Sequence, residues 1–166
     1  MPFEIPDNVH PDCAPVAWLL GTWHGNGHGD YPTTSAFQFG QECIFTHDGR
    51  PFLHYMSRAW IVDDEGAKVR EAAIETGFIR PRADGSLEWL LAHHTGFVEI
   101  WIGNAEIGTP RLEITTDAVV RTETAKEMTG GHRMYGMVEG DLLWAYDMAA
   151  GGHPLQPHLW GRLVRQ

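Results

Sequence analysis

Period-two alternation, cut at short intervals by turn chemistry, limits this chain more than any other feature. In "PFLHYMSRAWIV", Phe52, His54, Met56, Arg58 and Trp60 oppose Leu53, Tyr55, Ser57, Ala59 and Ile61. Successive side chains of an extended chain point to opposite faces, so such a segment reads as a strand with two distinct surfaces. Strands of this kind are predicted at 21–29, 35–46, 51–62, 69–80, 86–94, 97–107, 111–121, 126–138, 141–149 and 155–165. Between them stand "HDGR" at 47–50, "DDEG" at 63–66, "RADG" at 82–85 and "EGD" at 139–141, whose Asp and Gly residues are the usual material of tight turns. In "AAIETGFIR" neither face is cleanly polar, which predicts that both are partly covered. One segment is helical in pattern, "HPDCAPVAWLLG", with Ala14, Ala17, Trp18 and Leu20 towards one face and Gly21 as its stop.

Antiparallel strands joined by short turns have two common solutions, a sandwich and a closed barrel. Closure removes the exposed edges of a sheet, and at this strand number the interior can hold one small ligand. The pattern therefore predicts an all-β fold: a ten-stranded antiparallel up-and-down β-barrel with a short N-terminal helix, and Gly21-x-Trp23 at the start of its first strand resembles the signature of lipocalin-like barrels. Residues 1–166 read as a single domain, with 1–10 as an extended arm.

Charge and cysteine usage then narrow the function. The net charge of −10, from 22 acidic against 12 basic residues, argues against nucleic acid, whose binding needs a basic footprint, and against anionic membrane surfaces. The start "MPFEIPDNVHPDC" lacks the basic and apolar regions of a signal peptide, and no apolar run approaches the ~20 residues of a spanning helix. A cytoplasmic protein is expected, with Cys13 and Cys43 as two reduced thiols.

Ten histidines raise the question of metal. His93 and His94 are adjacent in a strand and point to opposite faces. His24 and His28 share a face, but four residues of strand separate their Cα atoms by about 13 Å, too far for one zinc ion with ligand bonds near ~2.1 Å. No nucleophile elbow, phosphate-binding glycine loop or zincin motif is present, so hydrolase and nucleotide readings have no support. Asp63–Asp64 reads as solvated turn. His158, in "LQPHLWGRL", follows Pro157 at the start of the last strand. An imidazole is the common proximal ligand of a haem that handles small gases and oxidants, although His54 and His132 are equal to it on residue type alone.

The run "GTWHGNGHGDYPTT" adds a further peculiarity. Gly21, Gly25, Gly27 and Gly29 share the parity of Trp23, so one face of this strand is nearly bare. Glycine in a strand marks close approach of another backbone or a ligand, or a bend at a barrel corner. Parity leaves open which face points inward.

These segments together resemble the nitrobindin family, haem-binding barrels also described as ferric nitrobindin-like proteins or peroxynitrite isomerases. The resemblance runs from about Leu20 to Arg165. It rests on GxWxGxG (Gly21, Trp23, Gly25, Gly27), "YPT" at Tyr31–Thr33, the F-x-H-x-G-x-PFL-x-Y run at Phe45–Tyr55 and "ETGFIR" at Glu75–Arg80. "AKE" at Ala125–Glu127 and the closing "LQPHL" with Leu163-x-Arg165 complete it. The resemblance implies a ten-stranded barrel holding one haem b near an open end, with the ferric iron carried by a single histidine that maps onto His158. It also implies Thr33 and Lys126 as haem-environment residues, and peroxynitrite and nitric oxide as small-molecule ligands. Exposed aromatics among the seven tryptophans leave room for a homodimer. Two other readings fit the same barrel: a carrier of a small apolar ligand, and a nitric-oxide sensor or carrier without catalytic duty.

Overall fold

A computed structural model describes residues 3–166, so Met1 and Pro2 of the expected N-terminal arm lie outside the described residues. Residues 3–10 form neither helix nor strand, and Val9 N–H donates to the Pro6 carbonyl in a turn. The remainder is a 3-10 helix (Pro11–Leu19) and ten strands: β1 Gly21–Tyr31, β2 Thr34–Thr46, β3 Leu53–Val62, β4 Lys68–Pro81, β5 Ser86–His93, β6 Phe97–Ala105, β7 Arg111–Arg121, β8 Met128–Val138, β9 Asp141–Ala150 and β10 Gln156–Arg165. Each strand pairs antiparallel with its chain neighbours, and β1 pairs with β10, closing the barrel. The boundaries follow the turn residues. In the β3–β4 turn, for example, Asp63 Oδ1 accepts from the N–H groups of Glu65 and Ala67 while Gly66 takes the left-handed conformation (φ 82°).

The N-terminal helix departs from the α-helical expectation. Pro15 has no N–H to donate, and its ring would clash with the carbonyl four residues back in an α-helix. The tighter 3-10 winding puts Cys13, Val16 and Leu19, three residues apart, on the buried face, and leaves Ala14 exposed. Gly21 (φ 124°) opens β1 rather than capping the helix.

This helix closes one end of the barrel. Trp23 is fully buried beneath it and its indole N–H donates to the Leu19 carbonyl at 2.8 Å. The Arg165 guanidinium lies 4.0 Å from the centre of the Trp23 ring and donates to the carbonyls of Trp18 and Leu20. Above this plug the interior is filled by a layer of large side chains, among them Phe45, Tyr55, Trp89, Trp101 and Tyr135. The two free thiols, Cys13 and Cys43, are both buried. Among the described residues, no helix is long and apolar enough to cross a membrane.

The bare glycine face points inward, with Trp23 and Tyr31. At Gly29 a Cβ would lie 2.1 Å from the Phe37 ring, and at Gly27 it would lie 2.3 Å from Phe39 and 2.4 Å from the Trp160 carbonyl oxygen. The space is therefore used twice: two aromatic rings of β2 lie over β1, and β1 curls against β10. The face of "AAIETGFIR" that turns inward carries Glu75, Gly77 and Ile79, and on the outer wall Phe78 is covered in part by the rings of Phe52 and His54, at 5.6 and 5.4 Å between centroids, as expected of a strand partly covered on both faces.

Candidate functional site

The end opposite the helical plug is a mouth formed by the β1–β2, β3–β4, β5–β6, β7–β8 and β9–β10 turns. His158 sits at this end. Strict alternation along β10 would place it outside, with Trp160, which is exposed. A register shift between Pro157 and Leu159 interrupts the pairing with β9, and an irregularity of this kind re-aims a side chain. His158 thereby turns inward, half-buried among aromatic rings: Tyr31 at 5.2 Å, Tyr146 at 5.7 Å and Phe37 at 6.5 Å between centroids.

A second irregularity, between Gly29 and Tyr31 on β1, frees the Asp30 carbonyl from strand pairing. This carbonyl accepts from His158 Nδ1 at 3.0 Å. With the proton held on Nδ1, the Nε2 lone pair is available, and this second-sphere bond is the usual way a protein fixes the tautomer of a metal-binding histidine. Burial pushes the His158 pKa below its ordinary value, and the cations Arg133 and Lys126 act in the same direction against the opposing pull of Asp30. The ring is therefore neutral at neutral pH, as ligation demands.

Around it the wall is apolar and partly open. Phe37, Phe97, Val119, Met148, Ala150 and Leu159 pack against the core while staying only partly buried. Tyr31 anchors the rim: its hydroxyl donates to the Met148 carbonyl at 3.0 Å and accepts from Ala150 N–H at 2.9 Å, tying β1 to the end of β9. The free Nε2, the fixed tautomer and the apolar surround suit an axially held, flat macrocycle.

Thr33 lies exposed in the β1–β2 turn, beside the β9–β10 turn: its Cγ2 is 3.7 Å from where a Cβ on Gly151 would stand. Lys126 lies exposed in the β7–β8 loop, whose backbone is tied down by Arg121 donating to the Lys126 carbonyl at 3.4 Å. Both are at the mouth. Of the GxWxGxG residues, Gly21 and Trp23 belong to the plugged end, far along the barrel from His158, and Gly25 and Gly27 shape the wall between. His24 and His28 face outward, His24 paired with Glu42 at 2.6 Å and His28 stacked on Trp160 at 5.7 Å. Of two outer-wall clefts of roughly 460–470 Å³, one is lined by residues of β4–β7 remote from His158, and the other runs along β10 past Trp160 and His28.

Sequence reasoning missed a buried ionic cluster below the mouth. Arg133 donates to both oxygens of Glu75, at 2.7 and 3.0 Å. Tyr55 donates to Glu75 Oε1 at 2.7 Å, and His93 stands 2.6 Å from Glu99 and 3.5 Å from Glu75. Burial alone would push the Glu75 carboxyl up, but the Arg133 guanidinium outweighs it and holds the group down at about 2. The one sequence signal was the parity of Glu75 with Ile79 in a strand whose faces did not separate cleanly.

Comparison with known proteins agrees with the fold. Residues 12–165 match the family described as THAP4-like, heme-binding beta-barrel domain. The chain is 71% identical to a Nocardioides protein named peroxynitrite isomerase over the full length of both. It is 44% identical to a ferric nitrobindin-like protein of Cutibacterium acnes, covering 99% of each. A crystal structure from M. tuberculosis superposes with a TM-score of 0.86 at 35% identity, covering 95% of this chain and 99% of that one. A closed ten-stranded barrel, a neutral histidine aimed into its open end and a family match over nearly the whole length lead to one conclusion: this chain belongs to the THAP4-like haem-binding β-barrel family.

Proposed function

We propose that this protein binds one haem b per chain through His158 and isomerises peroxynitrite to nitrate. The observation that carries the reading is the His158 ring, turned inward by the β10 irregularity, with Nδ1–H tied to the Asp30 carbonyl and Nε2 left free. Relatives at 71% and 49% identity are named peroxynitrite isomerase.

His158 Nε2 would hold ferric haem, which would supply a Lewis-acidic centre for the isomerisation of the peroxynitrite anion to nitrate without net electron change. The chain's own residues do the rest. The Asp30 carbonyl orients the imidazole and raises its basicity. The partly open apolar walls contributed by Phe37, Val119 and Leu159 exclude water and hold reacting fragments together. Lys126 places a cation at the mouth of a protein whose net charge is −10, where it favours entry of an anion; Thr33, on the adjoining turn, offers a hydroxyl. Nitric oxide is a second ligand on this reading, bound by the reduced protein.

The buried, reduced thiols suit a cytoplasmic location. The outward apolar row Phe78, Leu90 and Ile100, in register across β4, β5 and β6, suits a homodimer, which sedimentation measures.

The test is stopped-flow mixing of peroxynitrite with hemin-loaded protein. Decay faster than with free hemin, nitrate as the product and loss of the gain in His158→Ala are the expected results. A rate equal to free hemin leaves a haem carrier, and contradicts the isomerase reading.

A further inference from the structure

Two of the sequence motifs set apart above, PFL-x-Y and ETGFIR, take no part in holding haem, yet they meet inside the barrel. Tyr55, from the first, donates to Glu75, from the second, at 2.7 Å. Tyr55 is 1% exposed and Glu75 is bound on its other side by Arg133. A phenol hydrogen-bonded to a carboxylate is an arrangement that lowers the cost of taking an electron from tyrosine. The oxidised phenol is a far stronger acid than any carboxylic acid, and the proton has a carboxylate oxygen to receive it, even one held in its ionised form by an arginine.

The other tyrosines lack this partner. The Tyr31 hydroxyl donates to backbone carbonyls, Tyr135 accepts from Arg133, and Tyr146 reaches only the sulfur of Met128 at 3.8 Å. Tyr55 alone among the four donates to a carboxylate.

Oxidisable rings also lead from the mouth to Tyr55. His158 is 5.7 Å from Tyr146, and Tyr146 is 6.0 Å from Trp101. Trp101 stands directly opposite Trp89 across the β5–β6 pair, both inward and fully buried. Trp89 is 4.9 Å from Tyr55, edge to face. The intermediate rings are built to pass a positive hole on rather than keep it. Among the described residues the indole N–H groups of Trp89 and Trp101 have no hydrogen-bond acceptor, so an oxidised indole there has no group at hand to take its proton. The Arg133 guanidinium lies over both Trp101 (5.0 Å) and Tyr146 (4.5 Å), where its charge disfavours a second positive charge. The cluster beyond is the reverse case. There two carboxyl groups, Glu75 and Glu99, gather around Arg133 and His93, and among the described residues Glu99 Oε2 has no hydrogen-bond partner.

We propose that Tyr55 is a buried radical site, reached from the haem pocket through Tyr146, Trp101 and Trp89, which drains an oxidising equivalent that escapes rearrangement. This rests on the haem-pocket reading above. In the step, the Tyr55 O–H bond breaks and its proton moves to Glu75 Oε1. The electron passes along the ring chain to an oxidant of the peroxide class (hydrogen peroxide or peroxynitrite) activated at the pocket, which is reduced by one electron. For hydrogen peroxide the O–O bond breaks with release of water, one of its two oxidising equivalents takes up the Tyr55 electron and the other stays at the pocket; on the Tyr55 side the products are a neutral phenoxyl radical and a protonated Glu75.

The test uses hemin-loaded protein mixed with hydrogen peroxide, frozen rapidly and examined by electron paramagnetic resonance. Wild type should give a phenoxyl signal whose g tensor reports a hydrogen bond from the protonated Glu75. Tyr55→Phe, which keeps the ring against Trp89, should lose it, while Tyr135→Phe should not. Trp89→Phe leaves the Tyr55–Glu75 bond in place and should weaken the signal, which guards against a Tyr55 variant that fails to fold. The Soret band on hemin addition is read first. If wild type takes up no hemin, the pocket reading and the relay fall together. If hemin binds and the phenoxyl signal is absent, survives Tyr55→Phe or is unchanged in Trp89→Phe, the relay alone is overturned.

Discussion

Residue by residue, the mouth of the barrel depends on where protons are held. The Asp30 carbonyl keeps a proton on His158 Nδ1, and burial keeps the ring from taking a second. An unfolded imidazole takes that second proton near pH ~6.5. The folded value is depressed, so the stability this residue contributes is complete above that pH and is lost as the pH falls towards the folded value. Urea denaturation across a pH series should therefore show a shallower acid limb below ~6.5 for His158→Gln than for wild type. An identical slope would mean that the ring titrates freely. The Glu75–Arg133 pair has the same sign at lower pH, its contribution being lost as the pH falls from the ordinary carboxylate range towards about 2. Arg133→Met leaves a buried carboxylate without its partner and should cost roughly 3–5 kcal/mol in unfolding free energy; adding Glu75→Gln should recover part of that loss. If the double variant is the less stable by the full sum of the single effects, the two residues are not coupled.

Among the elements, strand β1 sets the shape of the wall. At Gly29 the atoms nearest an added Cβ all belong to the ring of Phe37, a half-buried side chain at the open end. At Gly27 it would meet Phe39 and also the carbonyl oxygen of Trp160, which is fixed by strand pairing. Both Gly→Ala variants should destabilise, Gly27→Ala by about 1–3 kcal/mol. Phe37→Ala should rescue Gly29→Ala, whereas Phe39→Ala should leave most of the Gly27→Ala loss, as thermal or urea unfolding will show. All ten strands were legible from alternation and turn residues, with ends within two residues of those observed. That two faces existed on β1 was legible too. Which face turned inward was not, because parity is relative and the inward sense is set by partners on β2 and β10. His158 was named by the family resemblance, but its orientation was hidden for a related reason. Its inward aim comes from the register irregularity on β10, which depends on the pairing with β9 rather than on local sequence. The Glu75–Arg133 pair joins residues 58 positions apart across the interior, and no local pattern carries such a contact.

For the molecule as a whole, the barrel separates a stabilising end from a reactive one. Trp23, Arg165 and the 3-10 helix close one end, and His158 lies at the other. Trp23→Ala should cost about 3–5 kcal/mol in unfolding free energy and leave hemin affinity unchanged under conditions where the variant is folded. A parallel loss of hemin binding by folded Trp23→Ala would show that the two ends are coupled. The central claim is that His158 Nε2 is the haem ligand. Its most direct test is a hemin titration of wild type and His158→Ala, followed by absorption and by resonance Raman of the reduced protein. Wild type should give a saturable Soret band at one equivalent and an iron–histidine stretch, and the folded variant should give no such stretch. An unchanged Soret band and iron–histidine stretch in His158→Ala would contradict the account.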